Sequence, residues 1–515
     1  MRRAAAGCRS RVTGHRRPFT AAALPMFAQR ARLQLSRHAL HVLLALGVAA
    51  ALRVGTFCVY RPWRAETQRT VVLTTDAIWQ HTLAKNLLHG NGFSIYDDPP
   101  YAPHLIVPPL CPVVLAALYG VFGVNPAIGV AYNMLLSIAA VALFYAFLRY
   151  FTRNRLAALI GCWLFAVSPT FVGYSNSLLM EQAYTIFMIA AFIAMVWFLR
   201  RPRAARAATV GLALGLLNLA KFSALYAPIL LALPLLVLLK DVHWRRRVWL
   251  CAVMGLVFYA CVLPWQLRNY TRSGFFVYTT NKHLIPLLFY MRDFRAAKGE
   301  GTPEQIVDEY VVRVRERTGT PFYPNTNTYA LWQMERAYTK ADYLALSALF
   351  SEELKKDPFG YAVFHFSHLP RFFLSVPAHE WGRQLGFAEQ RLDAVNRLIG
   401  AHDLPGLRAS FRAEPLLTGF VIGVTGLGMV FLVFVYIGMF AGIRLCWRRG
   451  TEARVITAFW LLWTLFIIMA TGSLAHSRYL LPCLPALLAL AAIGWASKCD
   501  RALLPVGAPP PRCAP

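Results

Sequence analysis

The chain has 515 residues and a mass of 57.7 kDa; 57% of residues are hydrophobic, 13% aromatic and 15% charged, with a mean hydropathy of +0.46 and a net charge of +29. Soluble domains carry about 25% charged residues, so an ordinary cytosolic enzyme, a disordered chain and a disulfide-rich secreted scaffold are all excluded. The composition is that of a polytopic all-α membrane protein. The positive charge comes mainly as short Arg clusters between apolar runs, which is how cytoplasmic loops are written, so nucleic acid is not an expected partner.

Residues 1–38 hold nine Arg and no acid. They lack the short apolar core and cleavage site of a signal peptide and are expected to form a basic cytoplasmic tail; Met26 is an alternative start. Apolar runs follow at 39–60, 126–150, 156–174, 182–199, 207–221, 222–239, 248–266, 416–443, 454–471 and 479–496. Each approaches the length of about 17–20 residues needed to span a bilayer. The stretch 207–239 is too long for one helix, and Lys221 divides it.

Segments 1–38, 149–155, 200–206, 240–247, 444–454 and 497–515 carry 27 Lys/Arg and only three acids, Asp241, Glu452 and Asp500. All six are expected inside. That constraint makes 108–123 a helix on the outer surface, not a span. The expectation is about ten transmembrane helices with both ends cytoplasmic and external segments at 61–125 and 267–415. The chain then divides into the tail 1–38, a transmembrane module 39–266, an external helical region 267–415, C-terminal helices 416–496 and a cytoplasmic tail 497–515. Within 267–415, helical spacing marks amphipathic stretches at 303–317 (Val307, Tyr310, Val311, Val314) and 341–356 (Leu346, Leu349, Phe350, Leu354). The stretch 359–376 contains His365, His368 and Arg371 and is expected to be a surface helix. If it spans instead, everything after it changes side.

Of 24 acidic residues, 16 lie in 267–415. Among the rest, Asp76 and Glu181 stand at external helix ends near the membrane, where an ionisable group is costly and a functional candidate. Asp76, in Thr74-Thr75-Asp76-Ala77-Ile78-Trp79, also reads as a helix N-cap. The stripe Trp79, Leu83, Leu87 is expected to lie on lipid. Glu181 also reads as a carboxylate favoured by a helix dipole. Lys221, Arg268 and Arg478 fall at external helix ends, where they either snorkel or form an anion site for a lipid phosphate. Arg53, inside the first span, is expected to snorkel. His104 is a weak metal candidate against an ordinary hydrogen-bonding surface role. The ten cysteines include no CxxC or Cys/His metal spacing, and none falls between 267 and 415. No Walker loop or GxGxxG is present, which argues against a nucleotide-linked donor.

Several segments together resemble one family. Asp76, then Ala84-Lys85-Asn86-Leu87-Leu88-His89-Gly90-Asn91-Gly92-Phe93 and Pro108-Pro109-Leu110-Cys111-Pro112, resemble the first external loop of the membrane-embedded (GT-C) glycosyltransferases. The nearer resemblance is to the bacterial family-39 group, related to protein O-mannosyltransferases and to the lipid A aminoarabinose transferase. Ser177-Leu178-Leu179-Met180-Glu181, Pro264-Trp265-Gln266-Leu267-Arg268-Asn269-Tyr270 and Arg478-Tyr479-Leu480-Leu481-Pro482 are similar to later signatures of that group and occur in its order.

The resemblance implies a sugar moved from a polyprenyl-phosphate donor at the external face, with Asp76 as catalytic carboxylate. Many relatives carry Asp-Glu where this chain has Asp76-Ala77, which puts a metal site in doubt; no cofactor is certain and a divalent metal stays open. Cys111 replaces a common Tyr. The residues fit that chemistry: phosphate is already a stable leaving group, so cations at Lys221, Arg268 and Arg478 suffice on that side. Asp76 serves as base with inversion at the anomeric carbon, and Glu181 orients sugar or acceptor. The three cations are expected to converge on one outward cavity, with Asp76 on its sugar side. The acceptor is a lipid, a glycan or a protein, and the membrane a bacterial inner membrane. A lipid-linked glycan flippase and a polysaccharide polymerase or ligase are the alternatives.

Overall fold

The computed structural model describes residues 23–73, 75–319 and 339–499. Most of the expected N-terminal tail, and all but the first three residues of the C-terminal one, lie outside them. The chain divides into two units, Met1–Leu44 and Ala45–Pro515; the first described helix is Ala23–Tyr60. Among the described residues every regular element is a helix.

Among the described residues six helices are long and apolar enough to cross a membrane: Arg37–Tyr60, Pro126–Thr152, Glu181–Arg200, Trp244–Ser273, Pro415–Arg449 and Thr451–Leu474. The expected single span 156–174 is instead a pair, Arg155–Ala166 and Pro169–Asn176, bent by 47°, which makes a seventh if it acts as one span. The break falls at Ser168-Pro169, where proline removes the backbone N–H and disfavours helix in the residue before it. The other three expected spans are the shorter helices Ala204–Ala220, Phe222–Leu238 and Leu484–Cys499. Lys221 divides the first two as expected, in an extended conformation (φ −153°, ψ 128°).

Arg53 does not snorkel. It is fully buried, and its guanidinium donates to Ser137 Oγ (2.8 Å), Ala49 O (3.1 Å) and Ala166 O (3.0 Å). The broken span supplies the reason: the last carbonyls of helix Arg155–Ala166 have no intrahelical donor, and Arg53 provides one. Close packing of the C-terminal helices depends on glycine. A Cβ on Gly494 would collide with Gly438 O, and one on Gly442 with Leu490 O, so these backbones meet along a small-residue seam.

Helix Pro303–Thr318 starts with a Thr302/Gln305 capping box and Pro at its first turn, and Lys340–Lys356 with a Thr339/Asp342 box; each box satisfies end donors reciprocally. Val307, Tyr310, Val311, Val314, Leu346 and Leu349 are buried in one cluster with Leu105, Ile106 and Leu287, and Phe350 and Leu354 pack against it. Residues 359–376 form two short helices, Pro358–Ser367 and Leu369–Leu374, which fall short of a span. The helix expected at 108–123 is present as Leu110–Phe122. The stripe Trp79, Leu83, Leu87 does not face outward: Leu83 is fully buried against Phe93, Val107 and Met180, with Trp79 and Leu87 packed on them.

Candidate active site

Glu181 and Arg200 are the first and last residues of one helix, about 28 Å apart at 1.5 Å per residue. Arg200 pairs with Glu452 (3.3 Å) and donates to Tyr150 O (2.6 Å) among the Arg-rich segments. Glu181 sits at the other end, and three further candidates meet it there.

Glu181 Oε1 accepts from Lys221 Nζ at 2.9 Å and from Arg478 Nε at 2.5 Å. The second face of Arg478 reaches Asp76: Nη1 to Oδ2 is 2.7 Å. Residues separated by up to 402 positions thus form one network of two carboxylates and two cations. Its local supports are specific. Asp76 is in the first turn of helix Thr75–Leu88, inside the helix and not before it. Lys221 occupies the extended break described above. Arg478 is the second residue of the four-residue helix Ser477–Leu480, where its backbone N–H donates to His476 Nδ1 (3.3 Å). Burial, reinforced by Arg478, Arg371 and Lys221, pushes the His476 imidazolium down to about 3, so that ring is neutral at pH 7 and able to accept.

The two carboxylates differ in access. The Glu181 side chain is 1% exposed and that of Asp76 36%. The charges cancel within the network, so the mutual repulsion of clustered cations is relieved by the protein's own carboxylates and not by an external anion.

Arg268 bonds to other groups. Its guanidinium donates to His104 O (2.9 Å), Phe93 O (3.2 Å) and Asn269 Oδ1 (2.9 Å) and lies over the Phe93 and Trp265 rings. It fastens the 93–104 segment to the end of helix Trp244–Ser273. His104 is buried with its ring edge against Trp79. Burial, with Arg268 beside it, lowers its imidazolium to about 3. No carboxylate adjoins it, residue 77 is alanine, and among the described residues no three His, Cys, Asp or Glu side chains are grouped to hold a metal. Among the described residues, His104 and its neighbours do not make a divalent metal site.

The sequence did not single out Glu380, one of 16 similar acids in its region. It is buried; it accepts from Ser177 Oγ (2.6 Å) and Gln384 Nε2 (3.1 Å) and pairs with Arg383 (2.9 Å). Gln384 Nε2 also donates to Gly173 O (2.7 Å) and Trp381 Nε1 to Pro169 O (3.2 Å). Helix Ala378–Gln384 is thereby clamped onto the 169–177 segment leading to Glu181. A cavity of about 190 Å³ lined by Phe151, Arg449 and Glu452 among others lies at the Arg-rich end, away from the network.

Residues 99–291 match the model of the dolichyl-phosphate-mannose-protein mannosyltransferase family. No curated protein matches the chain. Among solved structures, the oligosaccharyltransferase AglB from Archaeoglobus fulgidus, in complex with an inhibitory peptide and a dolichol-phosphate, is similar at 15% identity over 91% of this chain and 51% of that one, with a TM-score of 0.48. ArnT from Cupriavidus metallidurans bound to undecaprenyl phosphate is similar at 16% identity over 90% of this chain and 79% of that one, with a TM-score of 0.38. The chain spans about half the length of the archaeal protein. These structural likenesses are distant and carry no argument: the chain is a polytopic membrane protein whose residues 99–291 match the dolichyl-phosphate-mannose-protein mannosyltransferase family model.

Proposed function

We propose that this protein transfers a sugar from a polyprenyl-phosphate donor to an acceptor hydroxyl at the external face of a bacterial inner membrane, with inversion and with Asp76 as general base. The observation that carries the reading is the Asp76–Arg478–Glu181–Lys221 network, placed at the helix ends opposite the Arg clusters.

In this mechanism the donor phosphate engages Arg478 and Lys221, and Asp76, the more exposed carboxylate, gives up Arg478. The acceptor oxygen attacks the anomeric carbon as the bond from that carbon to the phosphate oxygen breaks. The electron pair leaves with the phosphate, whose charge the two cations stabilise, and the acceptor proton passes to Asp76. Glu181 holds both cations in place and is a positioning residue. Arg268 shapes the 93–104 wall and is not a phosphate ligand. The acceptor is a lipid, glycan or protein presented on the side of 267–415.

The test incubates membranes with radiolabelled polyprenyl-phosphate sugars and follows transfer of label, with reporter fusions after residues 90 and 176 reading the face. The expected result is transfer from at least one such donor and external readings at both positions. A cytoplasmic reading at both, or no transfer from any polyprenyl-phosphate sugar, contradicts the reading.

A further inference from the structure

Glu380 is a buried carboxylate that the transfer scheme above does not use. Its Oε1 accepts from Ser177 Oγ at 2.6 Å and Gln384 Nε2 at 3.1 Å, and its Oε2 from Arg383 Nη2 at 2.9 Å. None of these partners belongs to the charge network, so any influence on that network passes through the segment Glu380 holds.

That segment, 173–177, is a strap between two network members. Tyr174–Asn176 make one 3₁₀ turn, Ser177 is extended, and Glu181 follows four positions later as the first residue of its helix. Tyr174 Oη lies 3.2 Å from Oγ of Ser477, the residue before Arg478. Asn133 Nδ2 donates to Ser177 O and to Leu179 O, both at 2.7 Å. Helix Ala378–Gln384 closes on the strap without a gap: a Cβ on Gly173 would come within 2.5 Å of Trp381 Nε1. Tyr174, Ser175, Asn176, Ser177, Glu380 and Gln384 are all buried. The strap therefore has little freedom, and its two ends lead to Glu181 and to the residue before Arg478.

A hydrogen bond to a carboxylate is short and strong compared with one between neutral groups, so the Ser177–Glu380 bond fixes the strap more firmly than packing alone. Catalytic geometry is sensitive to such supports, since a misplacement of about 1 Å, even from a change far from the chemistry, costs about 10²-fold. We infer that Glu380 is a positioning residue for sugar transfer: through Ser177 and the 173–177 strap it sets where Glu181 and Arg478 stand. This inference rests on the donor reading above.

The experiment measures turnover per folded molecule, with the radiolabelled polyprenyl-phosphate sugar that the wild type uses, together with the melting temperature. Ser177→Ala removes the hydroxyl that Glu380 accepts from, and Tyr174→Phe removes the one beside Ser477; neither removes a charge. Each is expected to lower turnover about tenfold and the melting temperature by about 5 °C or less. Glu380→Gln keeps an acceptor for the Ser177 hydroxyl and is expected to lose less turnover than Glu380→Ala. In a Glu181→Gln background, Ser177→Ala is expected to cost only about threefold or less, because changes acting through one network are not additive. A general loosening of the fold would instead multiply with Glu181→Gln.

Turnover within about threefold of wild type in either hydroxyl variant overturns the inference. So does a Ser177→Ala effect that is undiminished in the Glu181→Gln background. Loss of the fold in either hydroxyl variant overturns it as well, because the strap then supports the whole fold and not the network. A wild type that moves no sugar from any polyprenyl-phosphate donor sinks the donor reading, and this inference with it.

Discussion

Asp76→Asn is expected to lower turnover by about 10²–10⁴-fold, the usual contribution of a general base, while binding of undecaprenyl phosphate tightens. The two effects have one cause. Arg478 Nη1 lies 2.7 Å from Asp76 Oδ2, so the donor phosphate competes with that carboxylate for the guanidinium. Asn keeps the shape and removes both the base and the competitor. The pair is partly exposed, so the gain is small, about 0.5–1 kcal/mol or 2- to 5-fold in affinity. Turnover and equilibrium binding on the same preparation check both halves. Near-normal turnover would reduce Asp76 to a charge at a helix start, worth about 0.3–1 kcal/mol of stability.

Glu181→Leu is expected to destabilise the fold by about 3–5 kcal/mol, because it leaves two buried cations without their shared carboxylate. Lys221 and Arg478 both bond the same oxygen of Glu181. A native protein holds only about 5–15 kcal/mol in reserve, so the loss should show as a large fall in folded yield and melting temperature in detergent. Glu181→Gln keeps an acceptor oxygen and should lose less. Adding Lys221→Met to Glu181→Leu removes one orphaned cation and should recover part of the loss. A wild-type melting temperature in Glu181→Leu would show that the cations are satisfied by other groups.

The parts legible in the sequence were those governed by local periodicity and by the energetics of charge near a membrane. Val307, Tyr310, Val311 and Val314 announce a buried face by spacing alone, and each is buried. Asp76, Glu181, Lys221 and Arg478 stand out because an ionisable residue at an apolar helix end is costly, and the structure brings all four together. Arg268 carries the same signal and bonds to other groups, because a cation can be satisfied by backbone carbonyls whose positions depend on how a distant loop folds. Arg53 is misread for the same reason: the carbonyls it caps exist only because the span around Ser168-Pro169 breaks. Glu380 is invisible in sequence, since its surroundings come from a segment 203 residues away in the chain.

The most direct measurement is the affinity of purified protein for undecaprenyl phosphate, wild type against Arg478→Ala. Arg478 joins both carboxylates and is the cation assigned to the donor phosphate. A hydrogen bond to a charged group contributes about 1.5–3 kcal/mol, so affinity should fall by about 12- to 150-fold while the variant remains folded. Unchanged affinity in a folded Arg478→Ala protein would contradict the account.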